Sequence, residues 1–277
     1  MSEKEIDPFR FGYRLERRAD ESGKEVTEQV PMRYEALLHP DEVDFPWQDW
    51  YHSKDCGYLM DALDVTLQDE DGALGLCRRR VDWGVAGIRP HKPDVALFRG
   101  VTGKSNWKME TFEAARWGAR PALVIEVTSP DTRSIDFDDK VVEYHRVGIP
   151  FYFIVDARPE LETRQVKVIG YRSTPDGYVR MLPDAAGRVW MEPVKLWLAP
   201  EGDKVRCFDE QNKPVLSAIE MNRALQRNEE RYQELRRQAE EAISSLDPNG
   251  AARKELDTRM ARIASGETAA GRGGESA

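Results

Sequence analysis

Residues 121–157 read PALVIEVTSPDTRSIDFDDKVVEYHRVGIPFYFIVDA. The opening run is apolar at nearly every position and holds one carboxylate, Glu126. A strand covered on both faces needs that pattern, because neither set of alternating side chains meets water. Pro130 stops the run, and IPFYFIVDA (149–157) is a second run of the same kind. Between them, SIDFDDKVVEYHRVG (134–148) sets Phe137, Val141 and Tyr144 on one helical stripe, with Ser134 or Asp136 as the cap and Gly148 as the stop. Strand, helix and strand in so short a span predict a mixed α/β sheet.

Working outward, PDVALFRGV (93–101) is a shorter apolar strand opened by Pro93-Asp94, and GLCRRRVDWGV (75–85) predicts one strand with Val81 and Trp83 on one face. From about His52 to Gln68, residues Tyr58, Leu59, Leu63 and Leu67 recur at helical spacing. Residues 102–120 read as a long polar connection. Beyond residue 157, QVKVIGYRST, GYVRML and GRVWMEP predict edge strands joined by turns, with Pro175-Asp176-Gly177 as one turn.

The domain expected from these elements spans residues 31–210. Residues 1–30 read as a poorly ordered lead-in or a peripheral strand, and 31–55, with Pro31, Pro40, Pro46 and several aromatics, as an ordered loop. Residues 211–265 form a charged helical tail. In it Met221, Leu225, Asn228, Tyr232, Leu235, Ala239, Ala242 and Leu246 follow a four-three spacing. That spacing fits a self-associating coiled coil, hence a homodimer, and equally a single solvated helix. Pro248 and Gly250 break it, a second short helix follows at 251–264, and residues 266–277 read as a disordered terminus.

Composition narrows the function classes. The chain has 277 residues, 33% of them charged, and a net charge of −9. A passive nucleic-acid coat is usually basic, so the balance speaks against one, while an enzyme touching a few phosphates stays open. A local basic stretch, Arg78, Arg79, Arg80, Arg89, His91 and Lys92, leads into Asp94; it reads either as a phosphate-facing edge or as a solvated one. No apolar run is long enough to span a bilayer. The first twenty residues are too charged for a signal peptide and the three cysteines are scattered, so a cytoplasmic protein with reduced thiols is expected.

Two carboxylates on neighbouring apolar strands carry the chemical argument. Asp94 shares a face with Ala96 and Phe98, and Glu126 shares one with Val124 and Thr128. A buried carboxylate is expensive unless something pairs with it. On adjacent strands the two can reach one point, where a hard divalent cation such as magnesium would take both, with the Val127 carbonyl as a further oxygen. Lys140, on the following helix, can lay its stem along the inward stripe and bring its ammonium to the carboxylates, to orient or deprotonate a water and neutralise developing charge. Burial would lower its pKa and the carboxylates would raise it. Read for stability alone, Asp94 pairs with Arg89 or Lys92, Glu126 is satisfied by a neighbour, and Lys140 makes an exposed i,i+4 pair with Asp136. Spacing does not separate the two readings.

The stretch from Pro93 to Asp156 resembles the Uma-two family of restriction-endonuclease-like proteins, within the PD-(D/E)XK nuclease superfamily. The residues that carry the resemblance are PDVALF, EVTSP, the helix lysine with a tyrosine four residues on, and the aromatic strand ending in Asp156. More weakly it covers about 35–210 and the charged tail. The resemblance implies a restriction-endonuclease-like mixed sheet flanked by helices, a Mg2+ site that Mn2+ could also fill, and DNA as substrate. Its Pro-Asp maps to Asp94 and its acidic strand residue to Glu126. The superfamily's Glu-x-Lys lysine is absent, since Thr128 stands there, and the family's lysine maps to Lys140. His52, Thr128 and Tyr144 are possible accessory residues; His52 also reads as a capping or surface histidine, and Ser129 and Thr128 as turn residues. His145 is expected to point away from Lys140. With Thr128 in the lysine's place, a catalytically inactive DNA-binding or assembly module is the competing reading.

Overall fold

A computed structural model describes residues 7–103, 110–160, 163–246 and 250–264. The expected disordered terminus at 266–277 lies outside the described residues. Two compact units divide the chain, residues 1–217 and 218–277.

In the first unit the strands are β1 (Gly12–Ala19), β2 (Glu25–Pro31), β3 (Asp44–Pro46), β4 (Leu74–Cys77), β5 (Arg80–Asp82), β6 (Val95–Arg99), β7 (Thr111–Glu113), β8 (Arg120–Val127), β9 (Phe151–Glu160), β10 (Thr163–Thr174), β11 (Gly177–Arg180), β12 (Val189–Met191), β13 (Leu196–Glu201) and β14 (Lys204–Phe208). Helix α1 is Trp50–Leu67 and α2 is Lys140–Val147. The central sheet runs β11-β10-β9-β8-β6-β4. It is mixed: β8 and β9 are parallel, with Glu126 opposite Ile154, while β6 is antiparallel to β8, with Val95 opposite Ile125.

Strand alternation divides the core. Val95, Leu97, Leu123, Ile125, Val127, Phe153 and Val155 pack with Leu59 and Leu63 of α1 and with the β12–β14 sheet. Ala96, Phe98, Val124, Tyr152 and Ile154 pack on the other face with Trp83 and Tyr144. Each buried valine, leucine, isoleucine or phenylalanine among them contributes roughly 1.5–3 kcal/mol by leaving water. The sheet is thus a mixed α/β core covered on both faces, as the near-continuous apolar runs predict.

Four sequence expectations change. GLCRRRVDWGV is not one strand: Arg78 takes a left-handed φ of 52°, the chain turns, and β5 leaves to pair with β7 in a separate two-stranded sheet. That pairing also gives the 102–120 connection a strand. β10 is internal, between β9 and β11, and GRVWMEP supplies β12 to a third sheet, β12-β13-β14. Residues 12–31 form the β1–β2 hairpin. β3 joins that hairpin, and only glycine fits the contact: Gly12 has φ +114°, and a Cβ there would run into the Phe45 carbonyl oxygen and lie 2.8 Å from Pro46 Cα. Arg14 and Asp44 lock the same edge with a two-pronged pair at 2.7 and 3.0 Å.

The second unit holds α3 (Ala218–Leu246) and α4 (Ala251–Ala264). Leu225, Tyr232 and Leu235 of the four-three spacing are exposed. Among the described residues, no helix is long and apolar enough to cross a membrane.

Candidate active site

The site forms where β6, β8, α1 and α2 meet. Asp49 caps α1 by accepting the His52 amide at 2.7 Å, which fixes the first turn and directs the His52 ring inward. His52 Nε2 stands 3.0 Å from Asp94 Oδ2, and both residues are buried. The histidine is therefore neither a cap nor a surface residue. Asp94 Oδ2 also accepts the Val127 amide at 2.9 Å, and the Asp94 amide donates to Glu126 Oε2 at 3.2 Å. The turn at Arg78 adds a brace, its amide reaching the carbonyls of Pro93 and Asp94 at 3.1 and 3.0 Å. The two carboxylates are thus tied through each other's backbone.

The α2 side is built differently from the sequence expectation. The helical segment begins at Arg133, and Ile135–Asp139 widen into a π-turn before α2. Neither Ser134 nor Asp136 caps it. Ser134 has helical dihedrals with no capping bond, and Asp136 is buried. Ile135 is buried against Met32 and Leu37, and the residues buried toward the site are Asp136, Lys140 and Tyr144, while Phe137 and Val141 are only partly covered. π-turns of this kind collect at functional sites. Lys140 Nζ lies 3.0 Å from Glu126 Oε1 and 2.9 Å from Asp136 Oδ1. Tyr144 donates its hydroxyl to Glu126 Oε1 at 2.6 Å, and Tyr152 donates to the Asp136 carbonyl at 2.8 Å, pinning the π-turn to the sheet. Lys140 does pair with Asp136, but in the interior and with Glu126 as well.

Asp94, Glu126 and Lys140 are therefore brought to one place, and His52 and Tyr144 join them. Thr128 is turned away to β9: its hydroxyl accepts the Ala157 amide at 3.2 Å and lies 3.4 Å from Asp156. Ser129 serves a turn with Thr132. His145 bonds the Thr174 carbonyl at 2.9 Å, away from Lys140. Asp136 was legible only as a candidate cap or an i,i+4 partner of Lys140, because a period-3.6 reading cannot register a wider turn. Arg78 and Lys92 of the basic stretch line the cleft over the site, whereas His91 is fully buried.

Charge balance follows from burial. Burial drives the Glu126 carboxyl up; Lys140 pulls it back, Asp94 and Asp136 push it further, and it settles at about 8. Burial also pushes Asp136 up more than Lys140 lowers it. Asp94 goes the other way: burial raises it, but His52, Lys140 and the Val127 amide hold it at about 2. For Lys140, burial favours the neutral amine, and Asp136, Glu126 and Asp94 outweigh it, so the ammonium is stabilised. His52 is likewise raised, Asp94 overcoming desolvation. The question left open by the sequence resolves in favour of the charged lysine. A site that forces one carboxyl toward neutrality has room for more positive charge, and its oxygen donors are those a hard divalent cation takes.

Two groups of ligating atoms approach within 4.8 Å among the described residues: His52, Cys56 and Asp94, and His39, His91 and Glu143. Neither suits a cation. His52 uses opposite ring nitrogens toward Asp94 and Cys56, and burial holds the Cys56 thiol protonated. Trp83 donates its indole N–H to His91 Nδ1 at 2.9 Å, so the proton of the neutral His91 ring sits on Nε2, the atom facing Glu143.

The model of a family named Uma2, described as "Putative restriction endonuclease", matches residues 31–201. A crystal structure of a putative nuclease belonging to DUF820 from Anabaena variabilis ATCC 29413, at 1.96 Å resolution, is similar, with a TM-score of 0.36 and 18% identity over 60% of this chain and 78% of that one. No curated protein matches the chain.

Proposed function

The chain belongs to the Uma2 family, and from that premise we propose that it is a metal-dependent endonuclease hydrolysing DNA phosphodiester bonds. The observation that carries the reading is the meeting of Asp94, Glu126 and Lys140 in one cleft, with Lys140 Nζ 3.0 Å from Glu126. Asp94 and Glu126 would hold Mg2+, or Mn2+ in its place, with the Val127 carbonyl as a further oxygen. Such an ion supplies a Lewis acid over the scissile phosphate and a more acidic bound water.

The chain's own groups do the rest. Lys140 stays an ammonium, so it neutralises charge building on the phosphate oxygens and orients the attacking water instead of removing its proton. Asp136 holds the lysine from behind. His52 and the Val127 amide fix the Asp94 carboxylate, and Tyr144 fixes that of Glu126. Arg78 and Lys92, lining the cleft, would meet the flanking phosphates. In this reading His52 and Tyr144 are positioning residues and Thr128 is structural.

Purified protein with Mg2+ or Mn2+ should cut DNA, and Glu126→Ala should abolish cutting with the thermal transition retained. Intact protein that cuts no form of DNA under either cation would refute the proposal. A competing reading, an inactive module that keeps the fold, is favoured by Thr128 at the strand lysine's position. Calorimetric titration with Mn2+ separates the two, since a module without a site takes up no ion. The exposed Leu225, Tyr232 and Leu235 of α3 support self-association through the tail, which sedimentation of full-length protein and a chain ending at residue 217 would test.

A further inference from the structure

The mouth of the cleft carries aromatic surface that hydrolysis alone does not require. Residues 44–51 read DFPWQDWY, and Phe45, Trp47, Trp50 and Tyr51 are all exposed, Trp47 at 58% and Trp50 at 61%. Clustered exposed apolar side chains mark an interaction site more often than an accident of folding.

These side chains are held in place. Phe45 stacks on Tyr13 with ring centroids 5.0 Å apart and planes 13° from parallel, and Trp47 meets Tyr13 edge-on at 5.8 Å. Their backbone is clamped by the Gly12 contact and the Arg14–Asp44 pair. Trp50 begins α1 directly after its capping Asp49 and meets Tyr51 edge-on at 5.0 Å. Cations accompany the rings. Lys54 Nζ sits 3.5 Å from the Trp50 ring centre and Lys92 Nζ 5.9 Å from that of Phe45. Phe45 and Trp47 also line the cleft containing Asp94, Glu126, Lys140, Arg78 and Lys92. The cleft thus sets basic side chains, Arg78 and Lys92, beside the flat apolar faces of Phe45 and Trp47.

The cleft is narrow, with a cavity of about 110 Å3, and Glu126 at its floor is 1% exposed. A duplex keeps its bases stacked inward and offers nothing to an aromatic platform. A single strand has unpaired bases with free faces that stack on tryptophan while lysine and arginine follow the backbone. We propose that the cleft takes single-stranded DNA, with unpaired bases stacked on the Phe45–Trp47 surface and the adjoining phosphate delivered to the Asp94–Glu126–Lys140 site. The assignment of the substrate rests on the hydrolytic reading above, and the binding test does not.

The test is fluorescence anisotropy of the full chain in EDTA, with a labelled single-stranded DNA of about 20 nucleotides, the same sequence as a duplex, and the same sequence as RNA. The single DNA strand should bind about tenfold or more tighter than the duplex. Phe45→Ala and Trp47→Ala should each weaken it by about 5- to 100-fold, the range of one lost stacking contact, with duplex binding nearly unchanged. Trp47→Phe should restore part of the loss, and strand addition should quench tryptophan emission. Equal or tighter duplex binding, unchanged affinity in both folded alanine variants, or tighter binding of the RNA would overturn the inference. Mn2+-dependent cutting of duplex without any single-strand preference would overturn it and leave the hydrolytic reading standing. Strong single-strand binding with no cutting under any cation would support the binding surface and remove the hydrolytic reading.

Discussion

Glu126→Gln should stabilise the protein in alkaline solution containing EDTA and abolish the proposed cutting of DNA. The Glu126 carboxyl is moved from 4.5 to about 8 by the fold, burial being the largest cause. Between those two pH values the folded protein keeps a proton that the unfolded chain has released. Stability therefore falls as pH rises through the window and levels off above it. Each pH unit is about 1.4 kcal/mol, so ionising Glu126 opposes folding by up to about 5 kcal/mol at the alkaline end. Glutamine has no such step. Its amide gives up one of two acceptor oxygens, which now serve Tyr144 and Lys140 on one side and the Asp94 amide on the other. That loss is about 1–3 kcal/mol at every pH. The variant should thus equal or fall below the parent at pH 5 and exceed it by about 2 kcal/mol at pH 9, on the order of 4–8 °C for a domain of this size. Calorimetric melts of both proteins at pH 5, 7 and 9 in EDTA read the difference directly. A gap that does not change with pH would refute the claim that Glu126 is held against its own ionisation, and so the argument that the site is short of positive charge.

Lys140→Ala leaves Glu126 and Asp136 facing each other in the interior, so it should lower stability at pH 8 by about 3–5 kcal/mol, and adding Asp136→Asn should recover part of that loss in thermal melts. Gly12→Ala sets a Cβ against the Phe45 carbonyl and Pro46 Cα, neither of which can yield; a loss of about 2 kcal/mol or more is expected, with the β1–β2 hairpin becoming the first site of limited proteolysis. Asp44 is pushed up by burial, but the Arg14 pair and the Asp41 amide prevail and hold it below the usual carboxylate range. Its contribution is therefore complete above about pH 4 and is lost as pH falls further, and Asp44→Asn should flatten that acid limb of an unfolding curve.

The sheet was legible because its strands are covered on both faces. Leu123, Ile125 and Val127 face α1 while Val124 faces Tyr144, and no position between residues 121 and 127 could be polar without a partner. The single exception, Glu126, marked the site for that reason. The α1 helix showed in its leucine spacing, and Asp94 in a Pro-Asp before an apolar run. What was hidden has local causes. The break inside GLCRRRVDWGV depends on Arg78 adopting φ 52°, a conformation that glycine or asparagine would have announced and arginine does not. The roof over the site is fixed by a Gly12 contact with a segment more than thirty residues away, which no periodicity encodes.

The inward face of the segment before α2 departs from the apolar pattern for a more general reason. Apolar periodicity locates the buried stripe of a helix by assuming that what is buried is apolar. Here the buried stripe is Asp136, Lys140 and Tyr144, and the apolar Phe137 and Val141 lie beside it, half covered. A polar stripe can stay buried only if each member is paired, and each is: Asp136 with Lys140, Lys140 with Glu126, Glu126 with Tyr144. Moving the lysine from the strand to this helix also changes what sets its position. A lysine two residues after Glu126 would be fixed by the strand itself. Thr128 stands there instead and spends its hydroxyl on β9. The Lys140–Glu126 distance then depends on how the π-turn docks, through the Tyr152 hydroxyl on the Asp136 carbonyl. A conflict between hydrophobic pattern and burial is expected where function overrides folding, and in this chain it falls on the residues that meet Glu126.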